Sequence, residues 1–276
     1  MKLSIDWLIF DKQDYKTYRT KMLETAPFEC PVFDRQSKIP GFDQEKLKAA
    51  TIALIGAGGL GSEIGEGLVR KGVGKILFFD QDVVEPSNLN RQLFYKKDLY
   101  KNKAVCLAEN LSKMGFGETT LTGYPYSFEE GIAKLGTIDC SIAVVGVDND
   151  LCRVIAARYF LDKGVPVVFT GVSEDGNSSY VFIQKSKSGE PCFGCFNSKA
   201  VKEVNDGIRR FPCPGTPAIK DILKTVAGLV IFAVDTLLMD RYSEWNNRVV
   251  YLDGSVPSGS SMLKRKENCP LCGVLK

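Results

Sequence analysis

A mostly parallel α/β sheet extended by antiparallel strands is the fold class the sequence predicts, on three observations. Between Thr51 and Val172, short apolar runs alternate with helical patterns, the arrangement that gives parallel strands with helices on both faces. A glycine-rich turn, GAGGLG (56–61), joins the first apolar run to the first helix. After residue 172 the runs change to the pattern of half-exposed strands, which suits antiparallel additions to the sheet.

Residues 1–48 are polar and irregular, with prolines at 27, 31 and 40, and read as an N-terminal arm with room for one helix. Residues 49–276 read as a single domain with a first half over 49–172 and a second over 173–276. In order, TIALIG is a buried strand, GSEIGEGLVRKG a helix ending at a glycine, KILFFD a strand and KAVCLAENLSKMG a helix. DCSIAVVGV (139–147), LCRVIAARYFLDKG and VPVVFTGV (165–172) continue as strand, helix, strand. SSYVFIQ and NRVVYLDG are the half-exposed strands, separated by a loop over 190–217 and the helix AIKDILKTVAGLVIFAVDTLLMD. That helix is apolar nearly all round, which suits either the core or a subunit interface.

The composition is that of an ordinary globular chain of 276 residues. Its net charge of +3 is small and by itself argues neither for nor against nucleic acid; the basic residues form no long run and read as a normally solvated surface, and a nucleic-acid partner is not expected. The N-terminal MKLSIDWLIFDKQDYK mixes acids and bases and has no apolar h-region. The longest apolar run, VAGLVIFAV (226–234), is interrupted by Asp235. A cytoplasmic chain without membrane partners is therefore expected. There is no histidine, which excludes histidine triads, histidine general bases and histidine metal ligands.

The glycine turn, with Gly56, Gly58, Gly59 and Gly61, lies between strand and helix, where backbone N–H groups and a helix N-terminus can approach phosphate. Asp80 ends the next strand, where a ribose-binding acid belongs. Asn88, Arg91, Gln92 and Lys103 then supply two amides and two cations. A guanidinium fork and an ammonium suit a triphosphate better than a dinucleotide. Asp148 stands at the end of the third strand, across the crevice from the glycine turn, and is either a magnesium ligand or an N-cap of the following helix, a role open to Asp150 as well. These parts fit attack of a carboxylate on the α-phosphate of ATP with expulsion of pyrophosphate. A carboxylate is already ionised at neutral pH, so the reaction needs no histidine base.

Of the nine cysteines, Cys192 and Cys195 (EPCFGC) and Cys269 and Cys272 (ENCPLC) form two CxxC pairs. Paired CxxC elements are the usual source of a tetrahedral thiolate site, so a structural zinc site of four cysteines is expected, with redox pairs as the alternative. Cys106, Cys140 and Cys152 fall in helix and strand patterns as small core residues. Cys30 lies in the arm. Cys213, in RRFPCPGTPAIK with Arg209 and Arg210 nearby, stands before a helix, where cations and a helix N-terminus favour a thiolate.

With these motifs in view, the chain resembles the ThiF/MoeB/HesA adenylyltransferase family, kin to the adenylation domains of ubiquitin-activating enzymes, from about Phe33 to Gly273. The resemblance rests on FDRQ followed by GFDQEKL, on GAGGLG, on DQDVVEPSNLNRQ (80–92), on Lys103, on DNDLCR (148–153) and on the paired CxxC elements. It implies a Rossmann-like domain whose first half binds nucleotide and whose second half holds zinc and the carrier. The implied activity is ATP- and Mg2+-dependent adenylation of the C-terminal glycine of a ubiquitin-like or sulfur-carrier protein ending in Gly-Gly. By the same resemblance, Gly59 and Asp80 hold the nucleotide backbone and ribose, and Asn88, Arg91, Gln92 and Lys103 contact the phosphates. Asp148 binds magnesium, and Arg35 reaches the neighbouring subunit's ATP in an active homodimer. Cys213 matches the crossover loop that carries an acyl-accepting cysteine in relatives, although its spacing to the next helix departs from the sulfur-carrier activators. A conjugating enzyme or sulfur donor is expected as a separate chain. Adenylation of a peptide or small carboxylate, activation of a tRNA base, and a non-catalytic partner subunit remain as alternatives, with a NAD-dependent oxidoreductase behind them.

Overall fold

The computed structural model describes residues 32–114, 119–173, 175–185, 189–208, 217–242, 245, 247–254 and 256–273. Cys30, Arg209, Arg210 and Cys213 lie outside the described residues. In chain order the elements are α1 (Asp34–Ser37), α2 (Gln44–Ala49), β1 (Thr51–Ile55), α3 (Gly59–Lys71), β2 (Lys75–Phe79), α4 (Lys103–Ser112) and β3 (Thr120–Tyr124). There follow α5 (Phe128–Leu135), β4 (Ile142–Val145), α6 (Asp150–Lys163), β5 (Val167–Val172), β6 (Ser178–Gln184), α7 (Phe193–Phe196) and α8 (Ser198–Asn205). The last are α9 (Lys220–Met239), β7 (Arg248–Asp253) and β8 (Val256–Met262).

Eight strands form one sheet in the order β3-β2-β1-β4-β5-β6-β7-β8. Strands β3 to β5 of that order pair in parallel, and β6, β7 and β8 add antiparallel, as the sequence predicts. The chain leaves β1 toward β2 and β3, then returns to the other side of β1 as β4. That reversal opens a crevice at the carboxyl ends of β1 and β4, the usual ligand position in such sheets.

Strand alternation divides the core into two layers. On one face Ile52, Leu54, Ile76, Phe78 and Val144 pack against Ile64 and Leu68 of α3, Leu107 of α4 and Val226 and Val230 of α9. On the other, Ile55, Phe79, Val145 and Phe169 pack against Phe128 of α5, Phe160 of α6 and Phe193 of α7. The Phe128 ring touches both Phe79 and Phe160, with centroids 5.9 and 5.3 Å away. Helix ends follow local chemistry. Ser127 and Glu130 form a capping box on α5, Asn102 caps α4, and Gly72 and Gly164 close α3 and α6 in the left-handed conformation.

Several expectations need correction. The end of the arm is part of the fold rather than irregular: α2 crosses residue 48 and Leu47 is fully buried beneath it. The stretch 190–217, expected as a loop, contains α7 and α8, whose Phe193, Cys195 and Val201 are buried. Strand β6 is not half-exposed. Val181 and Ile183 face the α9 layer while Phe182 faces the layer of Phe169 and Phe193, so both sides are covered. Strands β3 and β8 and helix α5 had no counterpart in the sequence reading. Helix α9 is long and apolar enough by length and composition to cross a membrane. It lies instead on α3 and the sheet, with Lys71 donating a hydrogen bond to Asp235 near its end.

The glycine turn is a point of close approach. A Cβ on Gly61 would stand 2.0 Å from the carbonyl oxygen of Gly56, whereas one on Gly58 would meet nothing within 4 Å. Gly61→Ala is therefore expected to lose about 2–3 kcal/mol of stability in urea denaturation, and Gly58→Ala about 1 kcal/mol or less, the cost of alanine at an N-cap. Equal losses at the two positions would contradict this account of the turn.

Candidate functional site

The crevice begins with backbone contacts. Gly56 has φ +96° and its Cα faces the Gly146 carbonyl, where a Cβ would be 2.9 Å from the oxygen. The turn after β1 thus lies directly against the end of β4. Gly59 serves a different purpose: the space a side chain would need is filled by Leu223 of α9, so this glycine allows the two helices to pack. Gly58 alone borders open space.

Asp80 ties the turns after β1 and β2 together. Its Oδ2 accepts from Ala57 N at 2.7 Å and its Oδ1 from Asp82 N at 2.9 Å. Burial pushes the carboxyl above the ordinary range, opposed by the nearby Lys103 ammonium and the two N–H donors. Asn102 extends the knot, giving Nδ2 to the carbonyls of Asp80 and Asp82 at 2.8 and 3.2 Å while its Oδ1 caps α4. Lys103, the next residue, pairs with Asp82 at 2.9 Å.

The segment after β2 folds into a tight turn at Pro86–Asn88. Asn88 is buried, with Oδ1 accepting from Glu85 N at 3.0 Å, while its carbonyl takes the N–H groups of Arg91 and Gln92. Asn88 therefore builds the turn that presents the next two side chains. Arg91 Nη1 donates to the Ser87 carbonyl and to Asn90 Oδ1. Gln92 Oε1 is buried and without a partner among the described residues, the condition of an acceptor waiting for a donor.

Across the crevice, Asp148 is exposed and makes no hydrogen bond among the described residues. Neither it nor Asp150 caps α6. Asn149 does, its Oδ1 accepting from Cys152 N at 2.8 Å. Arg153 braces this corner, giving Nη2 to the Val147 carbonyl and Nη1 to Asp150 at 2.9 Å. The sequence thus identified the edge residue and left out Asn149 and Arg153, which hold its corner.

The four CxxC cysteines meet at one point. Their Sγ atoms lie within 4.8 Å of one another and all four are buried, so the set can hold a metal ion. Cys192 stands 3.5 Å from Cys269 and Cys195 stands 3.6 Å from Cys272. Lys266 N and Leu271 N point at the sulfurs of Cys195 and Cys269, which suits thiolate acceptors. Gly194 is required: a Cβ there would be 2.9 Å from Cys269 Sγ. The buried Gln184 anchors the first knuckle to the sheet, accepting from Phe193 N and donating to the Ala157 carbonyl. Cys106, Cys140 and Cys152 stand elsewhere, and burial pushes the Cys140 and Cys152 thiols up to about 12, which fits inert packing. Arg35 is exposed on α1, beside the C-terminal end of α3, where Gln36 bonds the Lys71 carbonyl.

Residues missing from the sequence reading are Ser62, Glu63, Asn102, Asn149, Arg153 and Lys220. Asn102 and Asn149 carried a readable signal, an Asn directly before a helical pattern. Lys220 did not, since its partners lie far away in sequence.

The comparisons bear on the family and the fold. A sulfur carrier protein adenylyltransferase from Thermus thermophilus is 27% identical over 243 residues, covering 83% of this chain and 84% of its own length. The ATP-dependent ubiquitin transferase-like protein Cap2 of Escherichia coli is 27% identical over 247 residues, covering 82% of this chain and 41% of its own length. The chain spans about four-tenths of the length of several such relatives, the ubiquitin-like modifier-activating enzymes 5 of Dictyostelium discoideum (42%) and Xenopus laevis (41%) among them. The crystal structure of E. coli MccB with ATP has the same fold, with a TM-score of 0.72 at 19% identity over 96% of this chain and 83% of that one. Residues 33–274 match the ThiF family, and the chain belongs to it.

Proposed function

We propose that the protein uses ATP to adenylate the C-terminal carboxylate of a ubiquitin-like or sulfur-carrier protein. The observation that carries this reading is the convergence, at one sheet edge, of the glycine turn, the Asp80 clasp, the Asn88–Gln92 turn, Lys103 and Asp148. Its support from relatives is that those named are adenylyltransferases and activating enzymes for such carriers.

In this reading the α3 N-terminus and the open space at Gly58 receive phosphate. The partly exposed Asp80 carboxylate has lone pairs left for a ribose hydroxyl. A carboxylate oxygen of the carrier attacks the α-phosphorus, the bond to the bridging oxygen breaks, and pyrophosphate leaves. Arg91 and Lys103 neutralise charge that builds on the leaving group. Lys103 is held ready by Asp82, whose side chain is largely exposed and readily gives way to water. The uncapped, exposed Asp148 carboxylate is suited to hold Mg2+, which would supply further charge neutralisation on the phosphates.

The homodimer reading has a geometric support. Arg35 lies at one end of α3 and the glycine turn at the other, about 18 Å apart along the helix. A role for Arg35 at a nucleotide therefore requires a second subunit's site. The cysteine set fits zinc: with Zn–S bonds of about 2.3 Å, a tetrahedron has edges of about 3.8 Å. Three of the six sulfur separations, 3.5, 3.6 and 3.9 Å, bracket that value, and all six are within 4.8 Å. With all four positions filled by thiolates, such an ion would be structural, fastening residues 77 apart in sequence and forming no part of the chemistry. Cys213, outside the described residues, stays a candidate acyl acceptor.

ATP–pyrophosphate exchange with purified protein and a panel of Gly-Gly proteins, peptides and tRNA tests the activity. Exchange is expected only with a Gly-Gly protein, and Arg91→Ala, Lys103→Ala or Asp148→Ala should each lower it by about a hundredfold or more. Exchange with a peptide alone would overturn the carrier as substrate while keeping the chemistry. Metal analysis tests the second half. About one zinc per chain is expected, and Cys269→Ser with Cys272→Ser should abolish it and lower Tm by at least about 10 °C. A metal-free protein whose Tm ignores chelators would rule out the structural zinc.

A further inference from the structure

Helix α9 opens on a cation. Lys220 is its first residue, where the positive end of the helix dipole disfavours an ammonium. Its Nζ donates to Glu63 of α3, whose side chain is only 6% exposed, and lies 3.4 Å from the carbonyl oxygen of Arg91. A carboxylate buried to that extent is costly unless paired, and Lys220 is the cation that offsets it.

The same end of α3 is gripped from two further directions. Ser62 Oγ accepts from Leu93 N at 3.1 Å, and Leu223 of α9 fills the space beside Gly59. The main chain at residues 91–93 is therefore fastened to α3 twice, once by a hydroxyl on α3 itself and once through an ammonium supplied by α9. Between those two attachments lies Gln92, with its unpartnered Oε1.

We propose that Lys220 is a positioning residue of the nucleotide site. Held by Glu63, its ammonium fixes the main chain at Arg91, and with it the Asn88–Gln92 turn, against the first turns of α3. This rests on the nucleotide reading above and adds to it. Lys220 acts through the Arg91 carbonyl and not on the reacting atoms. It also follows closely the segment that carries Cys213, so the start of α9 after that segment is fixed to the phosphate-binding turn.

The test is the affinity of the full chain for ATP with magnesium, by titration calorimetry, for the wild type, Lys220→Met, Lys220→Arg, Glu63→Gln and the Lys220→Met/Glu63→Gln pair. Tm is recorded for each. Lys220→Met and Glu63→Gln should each weaken ATP binding about tenfold. The paired variant should be no weaker than either single one, because the two side chains form one bridge. Lys220→Arg should recover most of the loss, and with the isosteric Glu63→Gln it keeps the test open where Lys220→Met folds poorly. Wild-type affinity in variants with a lowered Tm would overturn the proposal and leave an ion pair that serves stability alone. Tighter binding by Glu63→Gln would also overturn it, making Lys220 a direct phosphate ligand restrained by its partner. A wild type that binds no ATP would overturn the nucleotide reading itself, an outcome distinct from both.

Discussion

The two N–H groups that Asp80 accepts are the constraint on which the crevice depends. One comes from Ala57, inside the glycine turn, and the other from Asp82, at the start of the segment leading to Arg91. A half-buried carboxylate is favoured where its inward lone pairs are satisfied, so separating the turns after β1 and β2 would strip it of both donors. Gly56 then brings that joined pair against the end of β4. The floor of the crevice hangs from these short contacts to backbone groups, while longer side chains such as Arg153 and Lys220 brace its rim. Such a site is rigid in its floor and adjustable in its charges.

The second half of the molecule solves a different problem. Strands β6 to β8 extend the sheet beyond the last parallel strand and need cover on the face opposite α9. Short helices α7 and α8 supply it, but a helix of four residues has little cohesion of its own. The cysteine set and Gln184 provide what the helix lacks. Four buried sulfurs draw the C-terminal CxxC onto the first knuckle, and one amide joins that knuckle to α6. The aromatic rings of Phe169, Phe182, Phe193 and Phe196 pack around the result.

What was legible in the sequence follows from the range of each interaction. Most of the parallel half was readable because β1, β2, β4 and β5 are largely apolar runs and helices such as α3 and α6 end on a glycine, at Gly72 and Gly164. Strand β3, TLTGY, carries few apolar residues because it is an edge strand, and in β8, VPSGSSM, at the other edge, they are a smaller share. Neither had a pattern to find. Among site residues, the glycines, Asp80 and the cysteines announce themselves by local spacing. Asp148 was singled out, with a capping role left open between it and Asp150; Asn149 is the cap, since three adjacent residues, Asp148, Asn149 and Asp150, all have capping side chains and only the backbone decides. Glu63 and Lys220 are separated by 157 residues, and no local rule connects them.

Helix α9 shows how one segment reconciles these demands. Its sequence is apolar nearly all round, which by itself leaves core, interface and membrane open. Two charges near its ends remove the ambiguity about its seat. Lys220 binds Glu63 near the start of α3, and Asp235 binds Lys71 at the end of α3. Opposite charges at both ends of both helices fix their direction and register, because sliding by one turn would bury two acids without partners. Between them the packing can be purely apolar and still be unique. The outward side of α9 is partly covered by its own continuation, where Tyr242 and Trp245 close on Phe232 with ring centroids 5.0 and 5.1 Å away. The helix is thus held against α3 by charge at both ends and against the sheet by area, and the first of these brings its N-terminus beside the main chain of Arg91.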